Sequence, residues 1–287
     1  MSNESHLKLE RHLQSLSKPN EPQIWGMSYS SASDELFLAD NRNHVVSSLH
    51  LRVSTNDVSV VVRGASHVYS VCHLYDWDTL LLCSWELWHG TPGYWLVAIV
   101  RNKTGNGWRE ANRVQCKISR HMCALSESRV LLGPCQSREM EVFGVQRDYS
   151  QTDPRIAYIT RIQLPEEYWW FSATPLHQST SRDTLVAVSY KALQRVSVHR
   201  LVGDRLKELA SIEFNEPVPL LWLNDRILLA QNADSNEIVQ LEFKDNQLIC
   251  RRNMSACNVD RWCAVYNGLT IINKSTGDLL HYSFTNE

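Results

Sequence analysis

One pattern returns six times along this chain of 287 residues and limits what it can fold into. A polar turn former leads a run of apolar residues: DELFLA from Asp34, DTLLLC from Asp78, SRVLLG from Ser128, DTLVAV from Asp183, DRILLA from Asp225 and NGLTII from Asn267. The first residues of successive runs are 44, 50, 55, 42 and 42 positions apart. Runs this short, entered through Asp, Asn or Ser, read as strands approached by tight turns. A strand-like segment precedes each run, at 24–29, 68–74, 121–125, 170–176, 219–223 and 261–266. Another follows each, at 45–51, 94–100, 140–146, 195–201, 237–243 and 278–284. A fourth completes five of the six units, at 58–63, 114–119, 161–164, 209–214 and 248–252.

Four strands at a period of roughly 40–50 residues make one blade of a β-propeller. A four-stranded sheet cannot bury both faces alone, whereas packing it between two neighbours does so. The chain therefore reads as an all-β, six-bladed β-propeller of four-stranded antiparallel blades, a single domain over residues 1–287. The expected blades are approximately 22–64, 65–119, 120–167, 168–216, 217–256 and 257–287. The last blade has no fourth strand after Phe284. The segment 5–15, SHLKLERHLQS, is expected to supply it, because a bare sheet edge templates aggregation. Leu9, Leu13 and Leu16 also fit a short helix.

Charge and composition exclude some partners. The net charge is −2 and the pI near 6.6, which gives no long-range attraction for nucleic acid or anionic membranes. No stretch approaches the roughly 18 apolar residues of a membrane span. The start, MSNESHLKLERHLQ, lacks the apolar run of a signal peptide, so a cytoplasmic or nuclear location is expected. The eight cysteines, at 72, 83, 116, 123, 135, 250, 257 and 263, show no CxxC spacing. Most fall inside expected strands, where a thiol acts as a small apolar residue. Free thiols are expected, with structural disulfides as the alternative.

In the first unit, Pro22 to Gly26 (PQIWG), then LFLAD ending at Asp40, then Asn43-His44 resemble the NHL type of propeller repeat. Later units keep the apolar strands but lose Asn-His, and the repeated Trp-Asp and Gly-His marks of the WD40 repeat are missing. The chain is thus similar to NHL-like and WD40-like six-bladed propellers. The resemblance implies a binding platform whose first strands line a central channel. In propeller enzymes such strands carry metal-binding carboxylates or a catalytic His. Here they read WGMSY, YSVCHL, MCAL, WFSATPL, PLLWL and WCAVY, without Asp or Glu. His73 and His121 could join in a two-His metal site, although packed core histidines are the plainer reading. Asp40, Asp234 and Asp260 are expected in loops, as a carboxylate ring or as turn residues capping backbone amides. There is no GxSxG, and Gly105-Asn106-Gly107 reads as a hairpin turn. No catalytic residue, metal or cofactor is expected.

Ten tryptophans carry more information. Trp85 and Trp88 fall in an expected loop, 84–93, and Trp169 at a blade junction. Loops between second and third strands, and the blade junctions, share one face of a propeller. Trp85, Trp88, Arg138, Tyr168, Trp169, Tyr190 and Arg261 are the expected binding residues, types enriched in interface hot spots. Packing of Trp85 and Trp88 under their own loop is the competing reading. The expected function is a non-catalytic scaffold binding a protein or peptide partner. The alternative is a six-bladed propeller hydrolase of the lactonase or arylesterase type, with a metal at the channel mouth.

Overall fold

The computed structural model describes residues 5–15, 23–51, 58–63, 67–74, 79–102, 107–117, 119–146, 153–175, 184–254, 259–265, 268–273 and 278–286. Among them, 24 strands form six antiparallel sheets of four. The protein is an all-β, six-bladed β-propeller, as the sixfold run predicts. The blades fall three to each of two compact units.

Strand β1 (Ser5–Ser15) belongs to the last blade. The unit of residues 22–166 begins with β2 (Ile24–Ser30), β3 (Glu35–Asp40), β4 (Val45–His50) and β5 (Val58–Arg63). Next come β6 (Val68–Leu74), β7 (Thr79–Trp88), β8 (Thr91–Arg101) and β9 (Trp108–Cys116). Its third blade is β10 (His121–Ser126), β11 (Arg129–Gly133), β12 (Ser137–Gln146) and β13 (Arg155–Tyr168), whose last two residues belong to the other unit.

The second strand of each blade is a continuous apolar run because both of its faces are covered. On β7, Leu80 and Leu82 pack with Phe37, Ala39 and Val46 of the first blade. Leu81, pointing the other way, packs with Val130, Leu132 and Phe143 of the third. Each such leucine contributes about 1.5–3 kcal/mol by leaving water. Serine side chains link neighbouring blades: the His73 amide donates to Ser28 Oγ (2.8 Å), and Ser70 Oγ donates to the carbonyl of Ser119, just before β10 (3.3 Å).

Gly26 sits where β2 meets β6. A Cβ there would lie 2.8 Å from Ser70 Cα and 2.8 Å from the Val71 nitrogen, both backbone atoms. Backbone cannot swing aside, so Gly26→Ala is expected to destabilise the protein by about 2 kcal/mol. A denaturant midpoint equal to that of the wild type would refute this.

The other unit contains β14 (Trp170–Pro175), β15 (Thr184–Tyr190), β16 (Arg195–Val202) and β17 (Arg205–Glu213), apart from Arg205, which falls in the first unit. It continues with β18 (Pro217–Trp222), β19 (Ile227–Asn232), β20 (Ile238–Lys244) and β21 (Gln247–Met254). The same alternation holds: Leu228 and Ala230 face Leu185 and Val198, while Leu229 faces Trp262, Leu269 and Ile271. The Trp222 amide donates to Ser172 Oγ (3.1 Å), repeating the Ser28–His73 link. The last blade is β22 (Val259–Val265), β23 (Gly268–Asn273), β24 (Asp278–Asn286) and β1, in the order β1-β24-β23-β22. Leu7 pairs with Phe284 and Gln14 with Leu279, so residues 5–15 form the expected strand rather than a helix.

Two expectations shift. The outer strands run Trp108–Cys116 and Arg155–Tyr168 rather than 114–119 and 161–164. On β13 Tyr158 and Ile159 are exposed beside charged residues, so buried and exposed positions do not alternate cleanly and do not mark its length. The expected loop 84–93 is instead the end of a long hairpin. Trp85 pairs with Tyr94 and Trp88 with Thr91, around a two-residue turn. His89 and Gly90 both have positive φ, +46° and +80°, as the tightest hairpin turns require.

Candidate functional site

The first strands of two neighbouring blades carry the same irregularity. Ile24 pairs with Asp40 and Gly26 with Ala39, leaving Trp25 as an extra residue. Val68 pairs with Ser84 and Ser70 with Cys83, leaving Tyr69 as its counterpart. Such bulges re-aim side chains out of the pleat and are frequent beside binding sites. Here they bring two rings together, with Trp25 and Tyr69 centroids 5.0 Å apart and tilted by 56°. Tyr94 of β8 continues the array 5.6 Å from Tyr69. The Arg120 guanidinium lies over the Trp25 ring, 5.6 Å from its centroid. Burial and the adjoining Tyr94 push the Tyr69 phenol above its ordinary range, so it stays a neutral donor at neutral pH.

A second aromatic row flanks the first. His44 at the end of the Asn-His turn meets His67 edge-on at 5.0 Å, and His67 lies 6.1 Å from Trp85. The His67 amide donates to His44 Nδ1 (3.2 Å), and the Trp85 amide donates to the His67 carbonyl (3.1 Å). Trp85 and Leu87 alternate onto one face of the long hairpin and stay 37% and 67% exposed. Together the two rows form an aromatic surface with one arginine and an apolar hairpin tip.

The expected binding residues divide. Trp85 belongs to this surface. Trp88 does not: Arg113 stacks on its ring at 3.5 Å, itself held by Glu86 (2.7 Å) and Glu110. That ring is covered on one face by Arg113 of its own blade and stays 36% exposed. Arg138 is exposed and lies 3.7 Å from Glu166. In the other unit, Trp169 is half-buried under the Lys191 ammonium at 4.8 Å, and Arg261 lies over Trp170 at 5.3 Å. Tyr168 and Tyr190 are wholly buried, at 0% exposure, and present no side chain to a partner. Tyr190 ends the buried strand β15 and Tyr168 ends β13, and each ring fills core space.

Trp25 and Tyr69 escape the sequence reading because their position depends on bulges. The pattern that carries it is an aromatic residue between an apolar and a small one at the head of a first strand, IWG and VYS.

The carboxylates occupy themselves locally. Asp40 Oδ1 accepts from the amides of Gln23 (2.9 Å), Arg42 (3.1 Å) and Asn43 (3.2 Å), the turn-capping role. Asp234 accepts from Asn215 (3.4 Å). Asp260 is not in a loop: it is the extra residue of a third bulge, between Val259 and Arg261 on β22, so that first strand does contain a carboxylate. His73 is buried and stacked on Phe37 at 5.7 Å, and His121 Nε2 lies 2.8 Å from Cys135 Sγ. Among the described residues no three His, Cys, Asp or Glu side chains gather as metal ligands would. Cys72 and Cys83 are buried and Cys250 is exposed, while Cys257 lies outside the described residues, as do residues 103–106 of the expected hairpin turn. No helix among the described residues is long and apolar enough to cross a membrane.

No protein-family profile and no curated protein sequence matches this chain. Solved structures match its fold at low identity. A chain of a mitotic checkpoint complex aligns at 10% identity and TM-score 0.62, over 98% of this chain and 93% of that one. The WD40 repeats of RRP9 align at 7% identity and TM-score 0.60, over 98% and 100%. The periplasmic gluconolactonase PpgL of Pseudomonas aeruginosa aligns at 12% identity and TM-score 0.61, over 96% and 86%. The fold class is therefore the six-bladed β-propeller, with both WD40 and gluconolactonase propellers among its structural relatives.

Proposed function

We propose that this propeller is a non-catalytic scaffold that binds a protein partner through the aromatic surface of its first three blades. The observation that carries the reading is the paired bulge setting Trp25 against Tyr69, continued by Tyr94 and bordered by Arg120 and the Trp85–Leu87 hairpin tip. Trp, Tyr and Arg give large apolar contact with a polar handle at low entropic cost, which is why they anchor interfaces. Propeller chains in assemblies, such as that of the mitotic checkpoint complex, support a protein partner in general. Trp169 and Arg261 remain proposed contributors on their own unit. A cytoplasmic or nuclear setting and free thiols belong to the same proposal.

The test compares the wild type with a Trp85→Ala, Leu87→Ala double variant. Exposed hairpin residues cost the fold little, so melting temperature should hold. Partner affinity should fall by about 30-fold, the equivalent of about 2 kcal/mol for a lost anchor. Retained capture of the same partners at unchanged affinity, with a lowered melting temperature, would overturn the reading.

A further inference from the structure

We propose that Cys135 and His121 form a nucleophilic thiol–imidazole pair, a modification site for small soft electrophiles and for peroxide. Cys135 lies in the short connection between β11 and β12, partly exposed, just before Gln136 at φ +56°. His121, at the head of β10, is buried and sets Nε2 2.8 Å from the sulfur. Ser119 holds both ends of this arrangement. Its Oγ accepts from the Gly133 amide (3.0 Å) and donates to the His121 carbonyl. The pair is therefore positioned by backbone anchors rather than by a mobile loop.

A thiol within hydrogen-bond reach of an imidazole is the arrangement that activates cysteine nucleophiles. The proton moves from Sγ to Nε2, leaving thiolate beside imidazolium. With hydrogen peroxide, the thiolate attacks one oxygen and the O–O bond breaks. The leaving hydroxide takes the proton from His121 and departs as water, and the sulfur, oxidised by two electrons, becomes a sulfenic acid. With iodoacetamide an S–C bond replaces C–I, iodide leaves, and the released proton stays on His121 or passes to solvent.

Nearby charges are already matched to one another. Lys117 pairs with Glu139, Arg161 lies by Glu139 and Glu141, Arg138 by Glu166, and Arg120 covers Trp25. The other thiols contrast with Cys135. Burial pushes Cys72 up to about 12, and contact with Cys83 together with burial raises Cys116 far beyond the usual range. Cys250 is exposed and serves as the accessible reference thiol.

The experiment maps limited iodoacetamide labelling of the native protein at pH 7 by peptide mass spectrometry. Cys135 should label about tenfold faster than Cys250, because the His121 imidazole takes up the thiol proton. Dimedone added after dilute peroxide should tag Cys135 first. His121→Gln should remove the advantage at pH 7 and recover the wild-type rate near pH 9.5, where thiols ionise unaided. Equal rates at Cys135 and Cys250 in the wild type overturn the proposal, whether or not the variant folds. So does a folded His121→Gln protein in which Cys135 keeps its advantage.

Discussion

Deleting residues 1–15 is expected to lower the melting temperature by roughly 10–20 °C or to send the protein into aggregates. The deletion removes β1, which pairs with β24 at nine positions from Ser5↔Asn286 to Ser15↔Asp278. The ladder survives two irregularities, between Leu9 and Arg11 and between His12 and Gln14. Backbone hydrogen bonds contribute about 1 kcal/mol each, so losing this strand costs on the order of 5 kcal/mol. It also converts β24, now inside the sheet, into an edge whose amides and carbonyls face solvent. A synthetic peptide of residues 5–15 should restore part of the lost stability by adding the strand in trans. Coincident melting curves for the full and truncated chains would show that β1 contributes nothing to the fold.

The second large effect is acid sensitivity seated at His199. This residue lies on β16 opposite Val186, buried, on the same face as Arg195 and 6.5 Å from the Tyr190 ring. Neither of its ring nitrogens has a hydrogen-bond partner among the described residues. Burial, reinforced by Arg195, lowers its pKa from 6.5 to about 4. The unfolded chain therefore binds more protons than the folded one between those values, and stability falls as pH drops through that window. The loss is complete below about pH 4 and amounts to about 3 kcal/mol. Leucine at this site removes the titration and the two unpartnered ring nitrogens. His199→Leu should match or exceed the wild type at pH 7 and lose about 3 kcal/mol less between pH 6.5 and pH 4. Urea midpoints of the two proteins that decline in parallel with pH would exclude this account.

The fold was legible because a strand buried on both faces must be continuously apolar. Leu80–Leu82 and Leu228–Ala230 record that requirement directly in the sequence. The closing strand was legible by subtraction, since one blade lacked an outer partner. Outer strands such as β13 were underestimated because water covers one of their faces. The candidate surface was half legible. Trp85 announced itself as an aromatic near a turn, but its neighbours did not. Trp25 and Tyr69 meet only because each first strand gains one residue against its partner, and a register irregularity leaves no periodicity to read. Trp88 looked equivalent to Trp85 and is not, because the hairpin alternates them onto opposite faces. Tyr168 and Tyr190 looked like junction residues and prove to be core.

Pairing of β1 with β24 also sets an order in time. A ribosome makes β1 before β2–β23 and β24 after them. Inner blades can form from neighbouring segments as they emerge, through contacts of short sequence separation. The last sheet cannot, because its outer strand must be kept available while more than 260 residues are synthesised between Ser15 and Asp278. Its polar and charged composition, SHLKLERHLQS, suits a segment that waits in water before it is used. Translation arrested before Asp278 would thus leave five complete blades and an unmatched first strand, a substrate for chaperones rather than a shortened propeller.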